Sequence, residues 1–226
     1  MKRQSSKQSG FTLVEIAIVL VIIGLLLGGV LKGQELITGS KAKATVADQK
    51  AMLAAMISYT DRFKTVAGDD AGAAARFPLA ACGNAGVACL NGGGNGVLTG
   101  AWNTVAPAVP TAAANENTIA WQHLRAAGFI SQGDGNIFAN PRNNAGGIIG
   151  MQNGIVYVGQ PATNTSVAFG GVPSNVAQAL DSSYDDGFAN LGQWRNAANG
   201  TAAAPNTVAG ALYVAGGVNN LATSLQ

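Results

Sequence analysis

The chain is poor in charge. Only 11% of its 226 residues are Asp, Glu, Lys or Arg, and 6% are aromatic. There is one histidine, His123, and there are two cysteines, Cys82 and Cys89. Each shortage excludes something. A single histidine beside two cysteines far away in sequence does not make a zinc site of the usual four ligands. No histidine–nucleophile pair, metal cluster or facing carboxylates stand out, so the residues give no basis for an enzyme. Glycine, alanine and asparagine fill the space instead, which predicts a loop-rich domain with small side chains.

Charge is also unevenly placed. Of the 13 basic residues, Lys2, Arg3 and Lys7 lie in the first ten positions. From Thr65 onward four basic side chains face seven acidic ones. A mildly acidic C-terminal part predicts no direct nucleic-acid surface.

One long apolar run is present. Ile16 to Leu31 is sixteen residues without a charge, in a segment long enough to cross a bilayer as a helix. Just before it stands Gly10-Phe11-Thr12-Leu13-Val14-Glu15. A carboxylate at that depth costs several kcal/mol unless it is paired. An ordinary secretory signal is cut after its apolar core. Here a polar leader, a glycine and a phenylalanine precede the core. A cut at that point would leave the helix in the mature chain and create a new amine near Glu15.

Taken together, the leader, Gly10, the segment Phe11 to Glu15 and the apolar helix behind them resemble the type IV filament superfamily of type IV pilins and type II secretion pseudopilins. The resemblance covers roughly residues 1 to 60. It implies that a prepilin peptidase cuts between Gly10 and Phe11, and that Phe11 is then N-methylated. It gives Glu15 an assembly role, pairing with the Phe11 amine of a neighbouring subunit. It implies an inner-membrane platform and an ATPase that extract subunits from the lipid. It also implies a single-pass topology with the N-terminus cytoplasmic, to which the basic leader contributes. Lys32, Lys41 and Lys43 on the far side weaken the charge argument. The implied fold is α+β, a long N-terminal helix packed on a small antiparallel sheet.

The expected division is residues 1–10 leader, 11–33 membrane and filament-core helix, 34–66 amphipathic continuation, and 67–226 extracytoplasmic domain. At 1.5 Å per residue the helix from Phe11 to Val66 would span about 80 Å. Gly24 and Gly28 form a GxxxG pattern that permits close helix contact in lipid. The alternative is local weakness, or melting on assembly as the resemblance offers. Met52, Met56, Tyr59, Phe63 and Val66 make one apolar stripe, and Gly68 is the expected stop.

Residues 67–117 read as a long irregular connection, with the glycine tract Asn91 to Gly96 as a flexible segment. On the outer side of a membrane a Cys82–Cys89 disulfide is permitted. The short spacing suits it, with two free thiols as the alternative. Many pilins carry their disulfide near the C-terminus, and this chain does not. Thr118 to Gly128 predicts a short helix, with His123 structural. Ile148 to Met151 and Ile155 to Val158 around Gln152-Asn153-Gly154 predict a hairpin. Val167 to Phe169 and Thr207 to Val214 add strands. Ser174 to Leu180 predicts a helix capped by Ser174.

Asp181, Asp185 and Asp186 flank a glycine. Major pseudopilins bind calcium in a C-terminal loop, so the resemblance offers a structural Ca²⁺ here. Helix capping and turn formation by Asp is the other reading. No other cofactor is expected. The function implied is a structural subunit of a type IV pilus. A secretion pseudopilin, a minor pilin or a filament-displayed adhesin is the alternative. The resulting location is the inner membrane before assembly, then the cell surface or a periplasmic pseudopilus.

Overall fold

The computed structural model describes residues 12–83, 88–104, 116–131, 136–153, 164–189, 191–196 and 218–224. The chain forms two compact units, Met1–Thr38 and Gly39–Gln226. The cleavage junction Gly10–Phe11 and the expected strands Ile155 to Val158 and Thr207 to Val214 lie outside the described residues.

Helix α1 (Leu13–Phe63) runs 51 residues. In the first unit its apolar side chains are exposed, Leu20 to 64% and Leu25 to 74%. A Cβ added at Gly24, Gly28, Gly29 or Gly33 would meet nothing within 4 Å. In the second unit α1 turns amphipathic. Ala42, Ala55, Met56 and Tyr59 are buried there, and Met52, Phe63 and Val66 pack partly buried against the same core. The stripe at three- and four-residue steps is therefore a core face.

The helix ends earlier than the expected stop at Gly68. Lys64 adopts φ 58, and its N–H closes the last turn on the Thr60 carbonyl at 2.8 Å. The chain then reverses. Gly68 (φ 95) is required at that reversal, because a Cβ would lie 2.5 Å from the Glu116 carbonyl oxygen and 2.6 Å from Leu98. Beyond it come the short helix α2 (Ala73–Arg76) and a 3₁₀ turn, Leu79–Cys82.

Helix α3 (Glu116–Ala126) starts two residues before the expected Thr118. It is buried all round from Glu116 to Arg125. Its apolar positions Ile119, Trp121 and Leu124 account for only part of that burial. Its polar residues are inside because the irregular segments 68–83 and 88–101 pack against it.

The sheet is antiparallel, in the order β1-β2-β4-β3. Its strands are β1 (Ile149–Asn153), β2 (Thr165–Pro173), β3 (Arg195–Asn196) and β4 (Val218–Ser224). Asn153 pairs with Thr165 at the end of a β1–β2 ladder. Asn153 is thus a strand residue, not the turn of the expected tight hairpin, and β1's partner in the described residues is β2. Between β2 and β3 lies α4 (Ser174–Tyr184). Pro173 occupies its N-cap position without a side-chain cap bond, so the expected cap by Ser174 is corrected: Ser174 is the first helical residue.

Alternation sorts the sheet into two faces. Ile149, Met151, Val167, Phe169 and Leu221 join the core that α1 covers, and Gln49 of α1 donates to Thr223 of β4 at 3.3 Å. Ala168 and Ala222 face the other way and, with Ile148, receive Trp102. Gly150 lies on that face too, where a Cβ would fall 1.9 Å from the Trp102 carbonyl oxygen. Ala168 and Ala222 thus pack with Trp102, while Gly150 makes room for its backbone and a Cβ at Gly170 would lie 3.3 Å from its indole. Trp102, Trp121 and Trp194 are all core residues, exposed by 3%, 0% and 1%.

Gly68→Ala combines an unfavourable φ with a collision against backbone. It should destabilise the domain by about 2–4 kcal/mol, read as a lowered urea midpoint by tryptophan fluorescence. An unchanged midpoint would contradict the packing described for the reversal.

Candidate functional site

The N-terminal segment is the first candidate. Thr12 stands just before α1 and Glu15 lies in its first turn. Glu15 Oε2 accepts both the Thr12 N–H and the Thr12 hydroxyl, each at 2.8 Å, and Thr12 Oγ1 accepts the Glu15 N–H at 3.3 Å. This is a reciprocal capping box. Sequence reasoning singled out Glu15 and passed over Thr12. The T-x-x-E spacing was the signal. A cap of this kind contributes about 1 kcal/mol, and the carboxylate also sits favourably at the positive end of the helix.

A second constellation is built on α3. Glu116 accepts the Gly93 N–H (2.7 Å), the Thr99 N–H (2.8 Å) and the Thr99 hydroxyl (2.8 Å). Gln122 accepts the Leu90 N–H at 2.9 Å and donates to the Cys82 carbonyl at 3.3 Å. His123 Nδ1 accepts the Gly68 N–H at 2.9 Å. The hydrogen of the neutral ring therefore lies on Nε2, which sits 2.7 Å from the Leu90 carbonyl. Asp69 accepts the Asn95 and Gly96 N–H groups at 3.0 and 2.6 Å. The glycine tract, expected to be flexible, is therefore gripped by carboxylates. Asp70 accepts the Tyr59 hydroxyl at 2.7 Å, the Gly72 N–H at 2.8 Å, and Arg76. Burial pushes the Tyr59 phenol up and Arg76 opposes this. The buried polar groups of this constellation are thus committed to holding backbone, and His123 is structural.

The Cys82–Cys89 disulfide is closed, with S–S 2.05 Å and Cα–Cα 4.9 Å. Both cysteines are buried, at 1% and 2% exposed. Gln122 binds at both sides of the bridge, at Cys82 and Leu90.

The third constellation is the acidic one. Ligand oxygens of Asp181, Asp185 and Asp186 lie within 4.8 Å of one another. Asp181 is fully buried, and its Oδ1 accepts the Gly187 N–H at 3.0 Å. Asp185 Oδ2 accepts the Trp194 N–H at 2.6 Å, and Asp186 Oδ1 the Phe188 N–H at 2.9 Å. All three carboxylates therefore close turns. Carboxylate oxygens suit a hard cation by type, though three such residues are fewer ligands than Ca²⁺ takes.

Residues 5–31 match the family model described as the prokaryotic N-terminal methylation motif, the prepilin-type motif of type IV pilins and pseudopilins. No curated protein and no solved structure matches the chain. The motif supports a subunit of the type IV pilin or pseudopilin type and points to a structural role rather than an enzymatic one. It implies processing by a prepilin peptidase and assembly with other such subunits. The long N-terminal helix with a small antiparallel sheet is the pilin-like α+β arrangement.

Replacing both cysteines by serine should cost the domain about 2.5 kcal/mol, the chain-entropy value for a loop of this length. The measurement is urea unfolding of the double variant, with the reduced wild type falling to a similar midpoint.

Proposed function

We propose that the mature chain begins at Phe11 and serves as a structural subunit of a type IV pilus, anchored in the inner membrane until it is assembled through α1. The observation that supports this is the order of four features in one short segment. A polar leader, Gly10-Phe11, Glu15 and an apolar helix succeed one another, and the methylation-motif model matches residues 5–31 of that stretch. The first part of α1 is long and apolar enough to cross a bilayer. Its exposed side chains would be solvated by lipid before assembly and by neighbouring helices after it.

In this proposal Glu15 does two jobs. Its Oε2 caps the first turn of its own helix, and the carboxylate pairs with the Phe11 amine of a neighbour. The pair rewards correct axial register, and the apolar helices supply the packing. The outer domain carries the filament surface.

Intact mass of protein recovered from sheared surface filaments tests the reading. It should correspond to a chain starting at N-methylated Phe11, lighter by the two hydrogens of the disulfide. A processed chain recovered only from membranes would favour a secretion pseudopilin or a scarce minor subunit. A chain retaining residues 1–10 would overturn the proposal. In the same assay Glu15→Ala and Glu15→Gln should both be processed yet yield few filaments. Thr12→Ala, which removes only the cap, should assemble. Normal filament numbers from Glu15→Gln would sink the charge-pairing role.

We also propose that Asp181, Asp185 and Asp186 hold a structural Ca²⁺. The support is their convergence to within 4.8 Å and the hard-oxygen chemistry of the set. Millimolar calcium should raise the thermal midpoint relative to chelator, and Asp186→Asn should abolish the rise. An identical midpoint in calcium and chelator would leave the three carboxylates as turn formers.

A further inference from the structure

His123 is the only imidazole in the chain, and it is wholly buried. Its ring is stacked on Tyr59, with centroids 5.9 Å apart and planes 9° from parallel. Both ring nitrogens are engaged with backbone of two different segments, Gly68 on one side and Leu90 on the other. The decisive contact is the one at Nδ1. It works only while that nitrogen has a lone pair, because Gly68 offers it an N–H. Gly68 has no room to move aside. A Cβ at that position would collide with Glu116, Leu98 and Ala120.

The surroundings do not welcome a cation. Tyr59 of α1 presents a neutral phenol ring. From the reversal, Arg76 brings a positive charge that opposes a second one. Asp70 is already occupied by Arg76 and the Tyr59 hydroxyl, and Asp69 by the N–H groups of Asn95 and Gly96. On α3 itself Glu116 is committed to Gly93 and Thr99. Arg125 adds a further positive charge, directed at the Ser131 and Ile137 carbonyls. Residues 88–98 contribute no ionisable side chain.

We propose that His123 is an acid-release latch. Protonation turns the Nδ1 acceptor into a donor facing the Gly68 N–H, and α3 then releases the reversal after α1 together with the segment around Leu90. The rest of the core does not depend on that proton, so release starts at these two segments.

The direction with pH follows from burial, which holds the imidazole down to about 4 against its usual 6.5. The Leu90 bond works the other way, and Arg76 adds to the lowering. Above pH 6.5 folded and unfolded chains both carry neutral His123. Between 6.5 and 4 the unfolded chain takes up a proton that the folded chain refuses, so stability is lost as pH falls. Below 4 the loss is complete.

The test is urea unfolding of the full-length chain in detergent, read by the three buried tryptophans from pH 8 to pH 3.5, for wild type and His123→Gln. Glutamine can accept from Gly68 and donate to Leu90 but does not titrate. The ratio of wild-type to variant folding constants should fall by about 80-fold between pH 6.5 and 4, and by about 200-fold over the whole range from pH 8 to 3.5, a comparison that cancels the carboxylates common to both. A ratio independent of pH overturns the latch. Should the variant not fold, the imidazole C–H resonances of wild type decide. A titration midpoint near 4 with broadening of the Gly68 amide supports the proposal, and a midpoint near 6.5 overturns it.

Discussion

The globular part depends on one constraint: an irregular backbone buried against a helix must find partners for its own N–H and C=O groups. Residues 68–83 and 88–101 have little regular structure to satisfy themselves. Helix α3 does it for them, with the side chains of Glu116, Asn117, Gln122 and His123 reaching backbone at 68, 82, 90, 93, 99 and 101. Asp69 and Asp70 do the same from within the wrapped segment. This is why a helix with so many polar residues is buried, and why removing a single acceptor there costs more than one average hydrogen bond. Tyr59 ties the arrangement to α1, by its ring to His123 and by its hydroxyl to Asp70.

The features that were legible in the sequence share a physical origin. The long helix, the stripe from Met52 to Phe63 and the N-terminal motif announce themselves through apolar periodicity or a fixed local order. The Cys82–Cys89 closure was legible from spacing and compartment. The less legible parts are those where tertiary partners override local pattern. Helix α3 looked amphipathic because its buried polar residues meet backbone distant in sequence. The glycine tract looked flexible because the carboxylates that grip it, Asp69 and Glu116, lie more than twenty residues away on either side. Strand β4, with Asn219 and Asn220 among its residues, carries little strand propensity. It forms because its Leu221 and Ala222 complete the two faces that β2 begins. The Asn153-Gly154 signal gave a hairpin where the structure extends the strand through Asn153.

The N-terminal segment shows how one residue serves two readings. A glutamate three residues after a threonine is a helix cap by geometry, and a lone carboxylate in an apolar run is costly in lipid unless paired, which is the ground for the assembly role proposed for it. Fixing the carboxylate against Thr12 also lowers the conformational entropy that any later pairing must overcome.

The open space around Gly24, Gly28, Gly29 and Gly33 has its own consequence. Among the described residues nothing lies close enough to ask for a missing side chain at those positions, and in a helix each glycine is a standing penalty. Lipid or a neighbour's backbone close against the bare helix face would repay that penalty. The isolated protein is therefore blind to these four positions as contacts, and a substitution there that improves the purified subunit and harms the assembly would identify the surface at which one helix meets the next.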